Sequence, residues 1–204
     1  MNPDPRRDPG LLKATAFAPT DWGAFEWDAG HNADLLTVSN NGRTIEWGPR
    51  KLQYTGKYYP PAWVPASTGA RLHSGPFRWD FVIDELAGAQ LGIGFMLLWE
   101  FGPDWGFFGY LGSSSSAWSY DPSTGDVVSN TESIQGGLPK STDGHSGVVS
   151  VHLELPRDAA GTAWFSVQGV ESRLIALPES SVVLPAACFH RESQRVSLAG
   201  FRTE

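Results

Sequence analysis

"GFFGYLGSSSSAWSYDPSTGDVV" (Gly106–Val128) sets four consecutive serines between an aromatic run and a Trp-Ser-Tyr-Asp run. Ser113–Ser116 can be a linker between two domains, a source of nucleophiles, or a polar loop inside one folded unit. The flanks favour the third reading. The serines stand between Leu111-Gly112 and Trp118, and the run closes on "DPSTGD". There Asp121-Pro122 initiates a turn and Gly125 supplies a positive φ. No internal repeat and no other linker divides the chain.

The composition agrees with one folded unit. The chain has 204 residues, of which 41% are hydrophobic and 18% charged, which is enough apolar material for a core and too little charge for a disordered chain. Nine Trp and eleven Phe lean towards pleated, half-buried surfaces. With 23 Gly and 15 Pro, turns are plentiful and long helices have little room. A formal charge of -7 with no basic block argues against nucleic acid as a partner. The lone Cys188 has no second cysteine in the chain to pair with, which suits a reducing compartment. The opening "MNPDPRRDPGLL" lacks a signal-peptide core, and no apolar run reaches membrane-spanning length. The expectation is an intracellular protein, cytoplasmic or nuclear, with no membrane partner.

Working outward, residues 1–12 read as a flexible Pro-rich tail and 13–204 as a single domain. In "DLLTVSNNGRTIEWG", Leu36 and Val38, then Ile45 and Trp47, alternate with polar residues around the hairpin turn Asn40-Asn41-Gly42. "YTGKYYPPAWVPASTG" (54–69) has three prolines and no clean period, and reads as a long connection. "RWDFVIDE" puts Trp79, Phe81 and Ile83 on one strand face and Asp80, Val82 and Asp84 on the other. "QLGIGFMLLWE" follows, with Gly92 and Gly94 marking close backbone approach. "SGVVSVHLEL" aligns Val149, Val151, Leu153 and Leu155 against Val148, Ser150, His152 and Glu154. "GTAWFSVQGV" aligns Ala163, Phe165 and Val167, with Trp164 opposite. "SVVLPAACFH" and "QRVSLAGF" complete the series. Short strands with frequent turns and almost no helical period predict an all-β antiparallel two-sheet β-sandwich.

The order of these blocks resembles the SPRY domain family, from about Trp27 to Phe201. "WDAGHNADLLTVSNNGRTIEW" is similar to the family's leading segment. "SGPFRWDFVID" resembles its Ser-Gly…Tyr-Trp-Glu-Val strand, with Arg78-Trp79-Asp80 in place of Tyr-Trp-Glu. "LGIGF" matches the Ile-Gly-Val/Ile-Gly strand. "LGSSSSAWSYDPSTGDVV" matches Leu-Gly…Ser-Trp-Gly-Tyr…Thr-Gly and is the most specific block. "GTAWFSVQGV" and "LPAACF…RVSLAGF" resemble the closing segments. Departures mark a divergent, stand-alone member: Ser146–Val151 reads Ser-Gly-Val-Val-Ser-Val for Gly-Asp-Val-Ile-Gly-Val, Asn-Gly becomes Gln168-Gly169, and Asn-Phe becomes Gly200-Phe201. The resemblance implies a concanavalin-like jelly-roll sandwich whose loops at one end bind a protein or peptide partner. Family members often act as recognition arms of ubiquitin ligases; the chain given carries no ligase-recruiting domain, so that role would need another subunit.

Chemistry is poorly supported. "STDGHSG" (Ser141–Gly147) holds Asp143, His145 and Ser146, but triad members usually meet from distant positions. Val148 also stands where a nucleophile elbow needs its last glycine. Asp80 and Asp84 share a strand face in the manner of a glycosidase pair, and a solvated face is the plainer reading. Asp121, Thr124 and Asp126 are conceivable calcium ligands, but also a plain turn. The five histidines have no ligand spacing, and His152 reads as solvent-exposed. No catalytic residue, metal or cofactor is expected. Recognition remains. Trp and Tyr bury much area at low entropic cost. The candidate partner-binding residues are Trp99, Phe101, Asp104 and Trp105 around Gly102-Pro103-Asp104, with Tyr58, Tyr59, Trp63 and Trp164. The expected function is a non-catalytic protein-interaction module. The alternatives are a structural subunit of a multi-subunit complex, and a carbohydrate-binding or glycoside-hydrolysing sandwich.

Overall fold

The computed structural model describes residues 25–28, 35–48, 63–88, 90–98, 110–141 and 147–203. In chain order its strands begin with β1 (Trp27–Asp28), β2 (Leu36–Ser39), β3 (Thr44–Trp47), β4 (Val64–Thr68), β5 (Gly75–Glu85), β6 (Leu91–Leu97) and β7 (Ala117–Asp121). They continue with β8 (Asp126–Ser129), β9 (Glu132–Gln135), β10 (Gly147–Leu155), β11 (Ala160–Val167), β12 (Val170–Glu171), β13 (Ile175–Glu179), β14 (Val183–Phe189) and β15 (Arg195–Thr203). A seven-stranded sheet runs β1-β4-β14-β6-β7-β8-β9. An eight-stranded sheet runs β12-β11-β10-β5-β15-β3-β2, with β13 also on β11. Every pairing is antiparallel, so the all-β sandwich expected from the sequence is the architecture found.

The alternating segments build the core. Trp79 pairs with Val151 and Phe81 with Val149 across β5 and β10, and β15 adds Val196 and Leu198. From the other sheet Phe95 stacks on Trp118 at 5.3 Å and meets Trp79 edge-on at 6.5 Å. Trp79, Phe81 and Phe95 are fully buried, and each such side chain stabilises by about 1.5–3 kcal/mol before its entropy cost. The β2–β3 hairpin has the expected turn, with φ of 52° at Asn40, 52° at Asn41 and 78° at Gly42. Gln168-Gly169 turns β11 into β12 with both φ positive, the geometry a two-residue hairpin needs.

The segment 54–69 is not all connection. Residues 64–68 form β4, a strand hydrogen-bonded between β1 and β14. All five of its residues are buried. A strand covered on both faces loses the period-2 signal, and Pro65 disguises it further. Residues 1–24 and 54–62, which take in the expected tail, lie outside the described residues.

The four serines form a pinned loop. Ser113 N donates to Tyr110 O (2.8 Å), Ser114 O accepts from Asn130 N (3.0 Å), and Ser116 O accepts from Leu97 N (2.9 Å). The loop is therefore stitched to both β6 and the β8–β9 turn. These bonds make it an ordered loop of the sandwich rather than a linker. Farther on, Asp121 Oδ1 accepts from Ser123 N (2.9 Å) and Ser123 Oγ (2.7 Å), and Gly125 has φ +78°. "DPSTGD" is thus the plain Asx turn.

Candidate functional site

Val64 and Phe189 are a register pair of β4 and β14, and both face the core. The residues just beyond that pair, Trp63 and His190, therefore share the outer side of the seven-stranded sheet. Their rings lie 4.6 Å apart. Tyr110 completes the group, 4.5 Å from Trp63 and tilted by 53°. Gly92 makes room for it. It opposes Cys188 in the sheet, and a Cβ there would stand 3.0 Å from Tyr110 Cε2. The phenol oxygen is anchored by a 3.0 Å contact from Ser119 Oγ, whose single proton is shared between Tyr110 Oη and Leu111 O. Burial pushes the Tyr110 phenol well above its ordinary range, so it stays protonated.

Beneath the rings lies a small apolar layer of Met96, Leu111, Ala117, Leu184, Ala186 and Cys188, on which Trp63 packs. Burial pushes the Cys188 thiol up to about 12, leaving it a thiol and a poor nucleophile. Gln194 fixes the backbone behind His190. Its Oε1 accepts from His190 N (2.6 Å) and Arg191 N (2.9 Å), and its Nε2 donates to Leu86 O (3.0 Å) and Gln90 O (2.8 Å). That uses both donors and both acceptor positions of a fully buried amide. The arrangement offers three held, half-buried aromatic faces for contact and no activated nucleophile.

Of this group the sequence analysis singles out Trp63 and not Tyr110, His190 or Gln194. The available signals were weak: Tyr110 ends the aromatic run before Leu111-Gly112, and His190 directly follows an apolar strand. Tyr58, Tyr59, Trp99, Phe101, Asp104 and Trp105 lie outside the described residues, in the segments whose next described residues are Trp63 and Tyr110. Trp164 is not brought to this site. It stands on β11 in the other sheet, on the side away from Ala163 and Phe165, and its ring stacks on His152 at 4.8 Å with 6° between planes.

Two expectations about this face are corrected. His152 is buried rather than solvent-exposed, because the indole covers it. The Asp80/Asp84 face is not simply solvated. Asp80 is buried; its Oδ1 accepts from Ser150 Oγ (2.5 Å) and from Arg78 Nε (3.3 Å). Asp84 Oδ2 accepts from Ser197 Oγ at 2.5 Å. Four residues along a strand separate the two by about 13 Å, against about 5–5.5 Å for a retaining glycosidase pair. Asp143, His145 and Ser146 lie outside the described residues. Among the described residues no group of three or more His, Cys, Asp or Glu is placed to hold a metal ion.

No protein-family model matches the chain, and no curated protein matches it in sequence. Solved structures do. The SPRY domain of human HERC1 superposes with a TM-score of 0.59 at 15% identity, over 85% of this chain and 94% of that one. The fold is SPRY-like. The TRIM65 PSpry domain matches with a TM-score of 0.58 at 13% identity, over 86% of this chain and 88% of that one. A further human SPRY domain gives 0.54 at 14% identity, over 84% and 95%. Such identities establish the SPRY-like sandwich and leave the site residues to be judged from this chain alone.

Proposed function

We propose that this SPRY-like domain is a non-catalytic protein-interaction module that docks a peptide or protein partner at the sandwich end bearing Trp63, Tyr110 and His190. One observation carries the reading: three aromatic rings within 4.6 Å contacts are held half-buried on the outer side of the sheet. Anchored rings of this kind lose little entropy on binding and supply large contact area. Trp63 and Tyr110 directly follow the segments that carry Tyr58, Tyr59, Trp99, Phe101 and Trp105, so those aromatics join the same surface in this proposal. The likeness to SPRY domains supports a binding module over an enzyme, and the Cys188 thiol held protonated supports it too.

The test is affinity capture with mass spectrometry, followed by titration of the recovered partner against wild type, Trp63→Ala and Trp105→Ala. Both variants are expected to bind about tenfold or more weakly, the range of an aromatic hot spot, while remaining folded. Undiminished binding by both places the surface elsewhere.

A further inference from the structure

The outer face of the eight-stranded sheet carries a second arrangement. The register sets four side chains in one row across β11, β10, β5 and β15. Trp164 pairs with His152, His152 with Arg78, and Arg78 with Arg202. Three strand spacings make the row about 14 Å long. Like charges directly opposite each other destabilise a sheet, yet Arg78 and Arg202 are cross-strand partners. Asp80 offsets only one of them. Arg78 lies over it, giving Nε to Asp80 Oδ1 (3.3 Å) and Nη2 to Ser150 Oγ (3.2 Å). Among the described residues the exposed Arg202 side chain has no hydrogen-bond or ion-pair partner. Glu154, exposed on β10 two residues beyond His152, is the nearest other carboxylate along the strand.

Trp164 adds the second observation. Its Nε1–H is out of solvent and has no hydrogen-bond partner. An orphaned buried donor is costly, and an indole N–H can only donate. The ring is itself partly exposed. Besides His152, the row offers donors: an indole N–H and two guanidinium groups.

We propose that this row is a second docking surface, for an extended acidic segment of a partner protein whose carboxylates accept from Trp164, Arg78 and Arg202. The two ends of the row fit, since side chains at i and i+4 of an extended peptide stand about 13 Å apart, and a third carboxylate at i+2 falls between His152 and Arg78. Planar carboxylates suit the guanidinium fork. The surface lies on the opposite sheet from Trp63 and is independent of the aromatic site.

The test is a titration of the full chain, labelled with ¹⁵N at tryptophan, with N-acetyl-hexaglutamate. Trp164→Phe identifies the Trp164 indole resonance by its loss. That resonance is expected to shift saturably with hexaglutamate and to stay fixed with N-acetyl-hexaglutamine. Arg202→Glu is expected to weaken binding about tenfold or more without altering the other indole signals, and Trp63→Ala to leave it unchanged. The proposal is overturned by an equal response to hexaglutamine, by an unmoved Trp164 signal, or by binding that Arg202→Glu does not weaken. An equal shift with inorganic phosphate overturns recognition of an acidic segment.

Discussion

Gly92 lies directly under the ring of Tyr110: a Cβ on that glycine would be 3.0 Å from Cε2. The contact links the bare centre of β6 to the aromatic site. Gly92→Ala is expected to push the Tyr110 ring outward by a few tenths of an ångström, lower the melting temperature by only a few degrees (about 1 kcal/mol), and weaken partner binding. Gly94→Ala is a different matter. Its Cβ would fall 2.1 Å from the Trp118 carbonyl oxygen, and backbone cannot yield as a ring does. That variant is expected to misfold or to lose most of its stability. Parallel melts of the two proteins check the contrast.

Gln194 makes four side-chain hydrogen bonds, two within the β14–β15 connection, from His190 N and Arg191 N, and two that join it to Leu86 O and Gln90 O. Gln194→Leu keeps roughly the volume and removes every one of them. Two amide N–H groups and two carbonyls lose their partner, so the expected loss is about 3 kcal/mol. Urea unfolding should show a lower midpoint with an unchanged m-value. A loss below about 0.5 kcal/mol would mean that water replaces the amide.

Asp121 sits buried, and desolvation raises its carboxyl pKa above the ordinary value, against the opposing bonds from Ser123. A raised carboxyl binds its proton more tightly folded than unfolded. Its contribution to stability therefore falls as pH rises from the unfolded value, near 3.8, through the folded one, and remains unfavourable above it. Asp121→Asn keeps an Oδ1 acceptor for Ser123 and removes the charge. It is expected to melt higher than wild type at pH 7, with the gap closing as pH approaches 4. A gap that widens on acidification would reverse the sign of the argument.

Substitutions at Trp118 and Trp105 test the core against the proposed surface. Trp118 is buried against Phe95, so Trp118→Ala is expected to cost about 3–5 kcal/mol. Trp105→Ala is expected to weaken partner binding with the melting temperature nearly unchanged. If Trp105→Ala lowers the melting temperature by many degrees, that ring belongs to the core and the proposed surface loses a member.

The sequence revealed the fold wherever one face of a strand is apolar and the other polar. Trp79-Asp80-Phe81 and Val149-Ser150-Val151 alternate visibly, and both strands lie where expected. It concealed β4, whose residues are buried on both sides. Alternation also tells direction, not exposure. Ser150 and His152 do point away from the core, yet both are buried, Ser150 in the Asp80–Arg78 group and His152 under Trp164. Of the aromatic site, Trp63 was legible as a surplus ring. Tyr110 and His190 join it only through the pairing of β4 with β14 and the gap at Gly92, which depend on contacts far apart in the chain.

Cys188 gives this architecture a built-in optical handle. It is the chain's single thiol and belongs to the apolar layer on which Trp63 packs. A thiol-reactive dye would therefore attach at one known place, and only as fast as that layer opens. Its labelling rate times the breathing of the aromatic site separately from global unfolding, with no cysteine to introduce and none to remove.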